Sequence, residues 1–209
     1  RYFTSERIFD ILPPRPAWGH KGTFGHGLVR AGSKSMAGAA YLASQALLRT
    51  GAGVVTLAVP ASIIHRFPPG EVMVVPVPDH DQGYFSLASL DSLVELMEKK
   101  SALVIGPGLG QAPELTQVLE KLLQGWSGPL VLDADGLNHI SHNLGWLENV
   151  APTVRQKWIF TPHPGEMGRL LDLSTQKINS QRINVALTAY AKLGVNIVLK
   201  GAPTIRSEE

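Results

Sequence analysis

Residues 158–166, Trp158-Ile159-Phe160-Thr161-Pro162-His163-Pro164-Gly165-Glu166, run from three apolar residues straight into a polar turn. The apolar triplet reads as a short buried strand. Pro162 and Pro164 restrict the backbone on either side of His163, so its imidazole has little freedom left to lose. Glu166 then falls in a first helical turn, where the helix dipole favours a carboxylate. Two readings of this turn stand side by side: a rigidly presented histidine at a ligand site, or a structural turn closed by a cap acid.

The same strand, turn and helix unit recurs in both directions. Upstream, Leu130–Leu132 leads into Asp133-Ala134-Asp135-Gly136-Leu137-Asn138, and Ala102–Ile105 into Gly106-Pro107-Gly108-Leu109-Gly110. Gly27–Ala31 leads into Gly32-Ser33-Lys34-Ser35-Met36-Ala37-Gly38-Ala39. Downstream, Val195–Leu199 leads into Lys200-Gly201-Ala202-Pro203-Thr204. Val54–Val59 and Val72–Val77 are further strand candidates. Several are apolar on both faces, as strands covered on both sides by helices should be. Helices are predicted over 36–50, 87–99, 113–124 and 179–193. Pro113 near a first turn, and Gly125 and Gly194 just past two ends, fit the usual punctuation. Residues 67–70 and 76–83 read as loops, and Leu12–Pro16 as an extended entry segment or linker. The alternation predicts one α/β domain, a three-layer sandwich around a largely parallel sheet.

Composition narrows the function. Of 209 residues, 44% are hydrophobic and 17% charged, which suits a globular core. The formal charge is +2 and no basic run exceeds Lys99-Lys100, so nucleic acid is not an expected partner. Cysteine is absent, which excludes disulfides and thiolate metal sites. No apolar run approaches the roughly 18 residues that span a bilayer, and the first residues lack a signal-peptide pattern. The expected setting is cytoplasmic, with no membrane partner.

In open parallel sheets ligands bind beyond the carboxyl ends of the strands. The five polar turns are therefore expected to meet in one crevice. Gly106, Gly108 and Gly110 suit a phosphate-binding turn, but a tight strand-to-helix connection wants glycine too. Neither a dinucleotide fingerprint nor a Walker A sequence is present. Asp133 and Asp135, if extended, would both face a Mg²⁺–phosphate group; if a helix begins near Asp135, one of them is only a cap. Lys200 offers a point charge to a nucleotide phosphate, or merely closes a surface strand. His20 and His26 lack metal-ligand spacing. His139 and His142, three apart on a short helix, read as a solvated face in preference to a shared metal site. No metal ligand is assigned.

Together, His20-Lys21-Gly22-Thr23-Phe24-Gly25-His26, Ala31-Gly32-Ser33, Gly38-Ala39-Ala40, Gly51-Ala52-Gly53 and the turns at 106–110, 133–138, 161–166 and 200–204 resemble the NAD(P)H-hydrate dehydratases, a branch of the ribokinase-like superfamily. The similarity runs from about His20 to the end. Residues 1–19 are then an N-terminal extension or interdomain linker, and 20–209 a ribokinase-like α/β/α domain. The resemblance implies repair of NADH or NADPH that has added water at C6 of the nicotinamide. The C6 hydroxyl is phosphorylated and phosphate is then eliminated. The Thr-Pro-His-Pro-Gly-Glu form resembles the bacterial type, which implies ADP rather than ATP, release of AMP, and Mg²⁺. It places Gly38, Ala39, Gly108, Gly110, Asp135, Asn138 and His163 at the hydrated cofactor. It places Lys200, Gly201, Ala202, Pro203, Thr204 and Glu166 at the adenine nucleotide. Fusion behind an epimerase domain and a homo-oligomer are implied as well.

The sequence departs from the family at one point. The family's Gly-Thr-Gly-Asp segment, with its anion hole and general-base Asp, does not occur in these residues. No catalytic group is assigned, the chain reads as C-terminally truncated, and little activity is expected of it alone. The competing readings are a thiamin-precursor type kinase of the same superfamily and a non-catalytic nucleotide-binding module.

Overall fold

In the computed structural model, which describes residues 15–207, the apolar runs become β1 (His26–Arg30), β2 (Val54–Pro60), β3 (Met73–Val77), β4 (Ala102–Ile105), β5 (Leu130–Leu132), β6 (Trp158–Phe160) and β7 (Asn196–Leu199). Most of the predicted entry segment, Leu12–Pro14, lies outside the described residues. The strands order as β3-β2-β1-β4-β5-β6-β7, all parallel. An eighth strand, β8 (Ile205–Ser207), adds antiparallel to β7. The sequence reading did not include β8, which has only three residues.

The chain builds outward from β1 to β3, then returns to lay β4 on the other side of β1. Between β1 and β4 the strand order reverses. The helices that follow these two strands therefore pack on opposite faces of the sheet, and such a reversal is where open parallel sheets bind ligands.

Helices follow the strands: α1 (Ala37–Arg49), α2 (Leu90–Glu95), α3 (Glu114–Gln124), α4 (Asp135–Ser141), α5 (Pro152–Arg155), α6 (Pro164–Leu171), α7 (Thr175–Ser180) and α8 (Arg182–Leu193). Three expectations need correction. The predicted helix over 87–99 is a 3-10 turn at Leu87–Ser89 followed by the six-residue α2. The predicted helix over 179–193 starts only at Arg182, because Gln181 (φ −134°, ψ 39°) separates it from α7. The predicted loop over 76–83 begins after Val77. Pro76 belongs to β3, an edge strand that tolerates a missing N–H. None of the described helices is long and apolar enough to cross a membrane.

The two faces of the sheet are covered unequally. Leu28, Leu103, Ile105, Leu130, Leu132, Trp158, Phe160, Ile197 and Leu199 pack with residues of α3, α4, α6, α7 and α8 in the larger core. On the opposite face Val29, Val55, Leu57 and Val59 pack under α1 and the turn Ala61–Arg66. Register aligns one row on that face: Val74, Leu57, Val29, Val104, Val131, Ile159 and Asn196. Leu57 and Val29 are fully buried, whereas Ile159 is 36% exposed. Cover on this face thins from β1 towards β6.

Candidate functional site

The five turns are laced together along the carboxyl rim. The Gly32 amide donates to the Pro107 carbonyl (2.9 Å), Gly106 to Arg30 (3.2 Å), Asp133 to Ile105 (3.1 Å), Thr161 to Leu132 (3.1 Å) and Lys200 to Pro162 (2.8 Å). Each turn thus begins on its neighbour's backbone, and the predicted convergence is what the sheet builds.

Gly106 sits at φ +126°, and a Cβ there would lie 1.8 Å from the Asp133 carbonyl oxygen. Gly108, at φ +67°, rests on the start of α1: its Cβ would meet the Met36 carbonyl at 2.8 Å and the Ala39 Cβ at 2.9 Å. The sequence-predicted pair Gly108 and Ala39 is therefore in direct apposition. Gly38 beside them faces open space: a Cβ added there would meet nothing within 4 Å. Met36 caps α1 without a side-chain hydrogen bond. The Ala39 amide turns back to the Met36 carbonyl (3.2 Å), and the positive end of the α1 dipole suits an anion.

Asp133 and Asp135 do not face one way. Ala134 between them adopts φ +50°, ψ −122°, a conformation L-residues rarely hold, and it turns the two carboxylates apart. Asp135 reaches towards β4, accepting from the Gly110 amide (2.9 Å) and the Gln111 side-chain amide (2.5 Å). Asp133 accepts from the Ala134 amide (2.8 Å) and from Lys200 Nζ (2.6 Å). Neither is a side-chain N-cap. Lys200 is thus engaged with Asp133, and lies 3.6 Å from Glu166 Oε2.

His163 caps α6 through a reciprocal box. Its Nδ1 accepts from the amides of Gly165 (2.9 Å) and Glu166 (3.4 Å), while Glu166 Oε2 accepts from the His163 amide (2.7 Å). Because Nδ1 accepts, Nε2 of the neutral ring carries the hydrogen, and it stands 3.3 Å from Glu166 Oε1. The ring remains half-exposed while Glu166 is buried. The turn is thus a cap that also leaves the imidazole accessible. Asn138 reaches α6 as well, accepting from Arg169 (2.9 Å).

Two residues of the rim escaped the sequence reading. Arg182, at the start of α8, donates to the carbonyls of Leu199 (3.2 Å), Lys200 (3.0 Å) and Pro203 (3.0 Å), clamping the turn at 200–204. His139, expected on a solvated face, is buried; its ring nitrogens meet Gly110 and Thr116. A shared site with the exposed His142 is thereby excluded. Among the described residues no three His, Cys, Asp or Glu side chains cluster as a metal site. Nucleotide-borne Mg²⁺ needs only one or two protein carboxylates, and partly exposed Asp133 fits that lesser requirement.

The comparisons with known proteins identify the family and the fold. A family model described as NAD(P)H-hydrate dehydratase matches residues 28–207. The bifunctional NAD(P)H-hydrate repair enzyme Nnr of Moorella thermoacetica is 37% identical over 207 residues, covering 98% of this chain and 38% of that protein. The ADP-dependent (S)-NAD(P)H-hydrate dehydratase of Bacillus subtilis is 32% identical over 204 residues, covering 98% of this chain and 68% of that protein. Among solved structures, the Bacillus subtilis ADP/ATP-dependent NAD(P)H-hydrate dehydratase co-crystallized with ATP/Mg²⁺ superposes with a TM-score of 0.76 at 28% identity, over 98% of this chain and 68% of that one. A ribokinase-like superfamily protein from Enterococcus faecalis gives 0.77 at 27% identity, over 96% and 66%. The chain spans well under half the length of the bifunctional relatives it matches. Its fold is ribokinase-like.

Proposed function

The chain belongs to the NAD(P)H-hydrate dehydratase family, and from that premise we propose that it carries the nucleotide and substrate rim of an ADP-dependent (S)-NAD(P)H-hydrate dehydratase. The observation that carries the reading is the apposition of Gly108 with Ala39 beside the open Gly38, at the β1/β4 reversal. It supplies a backbone cradle for the hydrated nicotinamide nucleotide. Lys200, on the other side of the rim, supplies a fixed cation for ADP.

Water leaves C6 of the hydrated ring with difficulty, because hydroxide is a poor leaving group. Phosphorylating that hydroxyl and then expelling phosphate lowers the barrier. Little covalent chemistry falls to the protein; its contribution is positioning and charge stabilisation. The N-terminal end of α1 and the glycine turn at 106–110 hold phosphate oxygens and exclude side-chain bulk. His163, half-exposed with an Nε2–H, offers a donor fixed by two prolines and its cap bonds. Lys200 offsets one of the two negative charges of Asp133 and Glu166, and would swing its ammonium to a nucleotide phosphate. Arg182 sets the shape of the 200–204 turn against the nucleotide. Mg²⁺, bound with the nucleotide and met by Asp133, would neutralise charge on the transferred phosphoryl group.

The general base does not come from a Gly-Thr-Gly-Asp segment within these 209 residues. The proposal also includes a cytoplasmic setting, a homo-oligomer and the linkage to an epimerase domain that the resemblance implies. The deciding assay supplies the complete gene product with hydrated NADH, ADP and Mg²⁺. Recovery of NADH absorbance with stoichiometric AMP and phosphate supports the reading. A stable phosphorylated alcohol, or ADP binding without turnover, replaces it with a small-molecule kinase or a binding module.

A further inference from the structure

His139 lies four residues after Asp135 on α4, so both side chains leave the same face of that helix. They grip one residue from two sides. Asp135 accepts from the Gly110 amide at 2.9 Å, and His139 Nε2 lies 2.8 Å from the Gly110 carbonyl oxygen. A carbonyl can only accept, so Nε2 carries the hydrogen. Nδ1 of the neutral ring is then an acceptor, and Thr116 Oγ1, 3.0 Å away on α3, donates to it. The acceptor-only Gly110 carbonyl thereby selects the tautomer, and the threonine hydroxyl, which can donate or accept, satisfies Nδ1.

Gly110, at φ +87°, has no side chain of its own to anchor it, and a Cβ there would meet nothing closer than 3.6 Å. Its position depends on these backbone bonds. Gly110 also ends the turn whose Gly108 packs on Met36 and Ala39 at the start of α1. A shift at Gly110 is therefore transmitted to the cradle. Asp135 and His142 are the charged or titratable groups acting on His139 from its own helix, and uncharged Thr116 faces it from α3.

We infer that His139 is a positioning residue: its neutral Nε2–H tautomer, set by the Gly110 carbonyl and accommodated by Thr116, holds that carbonyl and so fixes the 106–110 turn for the hydrated nicotinamide. It touches no reacting atom. The identity of the substrate rests on the dehydratase reading, whereas the tautomer and the turn do not.

The test uses the complete gene product, with His139→Gln and His139→Leu. Glutamine retains a donor at the Nε2 position; leucine does not. In the wild type, ¹⁵N spectra of the imidazoles are expected to show His139 as the Nε2–H tautomer at neutral pH. His139→Leu is expected to speed hydrogen exchange of amides 106–111 about tenfold, as loss of one hydrogen bond should, with His139→Gln staying within about threefold of wild type. KM for hydrated NADH should rise about tenfold in His139→Leu and fall back in His139→Gln, with KM for ADP changed by less than about twofold. The opposite tautomer overturns the inference, as does unchanged exchange over 106–111 in His139→Leu. A uniform rise in both KM values that tracks a lowered Tm overturns it too, since a purely structural role predicts that pattern. If the wild type shows no dehydratase activity, the substrate reading fails by itself, and tautomer and exchange still decide the inference.

Discussion

Lys200 Nζ donates to Asp133 Oδ1 at 2.6 Å, tying the end of β7 to the end of β5 across the intervening β6. The two residues are 67 apart in sequence. The bond closes the rim into one unit and leaves the buried Glu166 3.6 Å from the same ammonium.

Lys200→Met removes that cation. The pair is partly exposed, so its loss alone is small, but Glu166 is left with fewer partners. Stability is expected to fall by about 1–2 kcal/mol, read from the urea midpoint. ADP binding, followed by calorimetry, should weaken about tenfold or more. Retained ADP affinity would remove Lys200 from the nucleotide site.

Two glycines of the rim should respond oppositely to alanine. Gly106→Ala drives a methyl into the Asp133 carbonyl at positive φ and should cost more than about 3 kcal/mol, seen as a large drop in Tm. Gly38→Ala places its methyl in open space on a helix, where alanine is favoured by up to about 1 kcal/mol. Its Tm should hold or rise, while KM for hydrated NADH increases because the methyl occupies the cradle. A Gly38→Ala enzyme with unchanged KM would move the cradle elsewhere.

Arg30, 1% exposed at the end of β1, donates to the Leu93 carbonyl, but among the described residues its Nε and Nη1 find no partner. Burial pushes its pKa down to about 9. A buried cation without a counter-ion is costly, so Arg30→Met should be neutral or stabilising by about 1–3 kcal/mol, whereas Arg30→Ala opens a cavity and destabilises. Urea unfolding of the two variants separates the terms; equal destabilisation would show that the charge itself is needed.

Burial lowers the pKa of His139, against smaller opposing contributions from the Gly110 carbonyl and the Asp135 charge. A base whose folded pKa lies below its unfolded value of 6.5 binds protons better when unfolded. Its contribution to stability is complete above about pH 6.5 and declines as pH falls towards the folded pKa. His26 is shifted the same way, by burial and then Lys100, so wild-type stability alone does not isolate either ring. The difference between wild type and His139→Gln does: the variant should lose less stability on acidification below that pH. Parallel pH–stability curves would refute the assignment.

Strands β1 to β7 were legible because each is an apolar run bounded by glycine, proline or acid, and β-sheet burial leaves that mark directly. The rim was legible for the same reason. What the sequence hid was orientation. Asp133 and Asp135 suggest a shared target only if the backbone between them is extended, and no local signal announces φ +50° at an alanine. His139 looked solvated because its spacing to His142 drew attention. The informative spacing was to Asp135, since the two grip the same glycine. Arg182 was missed because its partners are three carbonyls, and backbone acceptors have no sequence signature.

The apolar row from Val74 to Ile159 crosses the sheet like a floor with furniture at one end. Where α1 stands, the floor is dry; at Ile159 it meets solvent. A strip of that kind is greasy to anything that drifts past. These residues on their own should brighten a hydrophobic dye, salt out early, and stick to one another through the β5–β6 side of the sheet long before they lose their secondary structure.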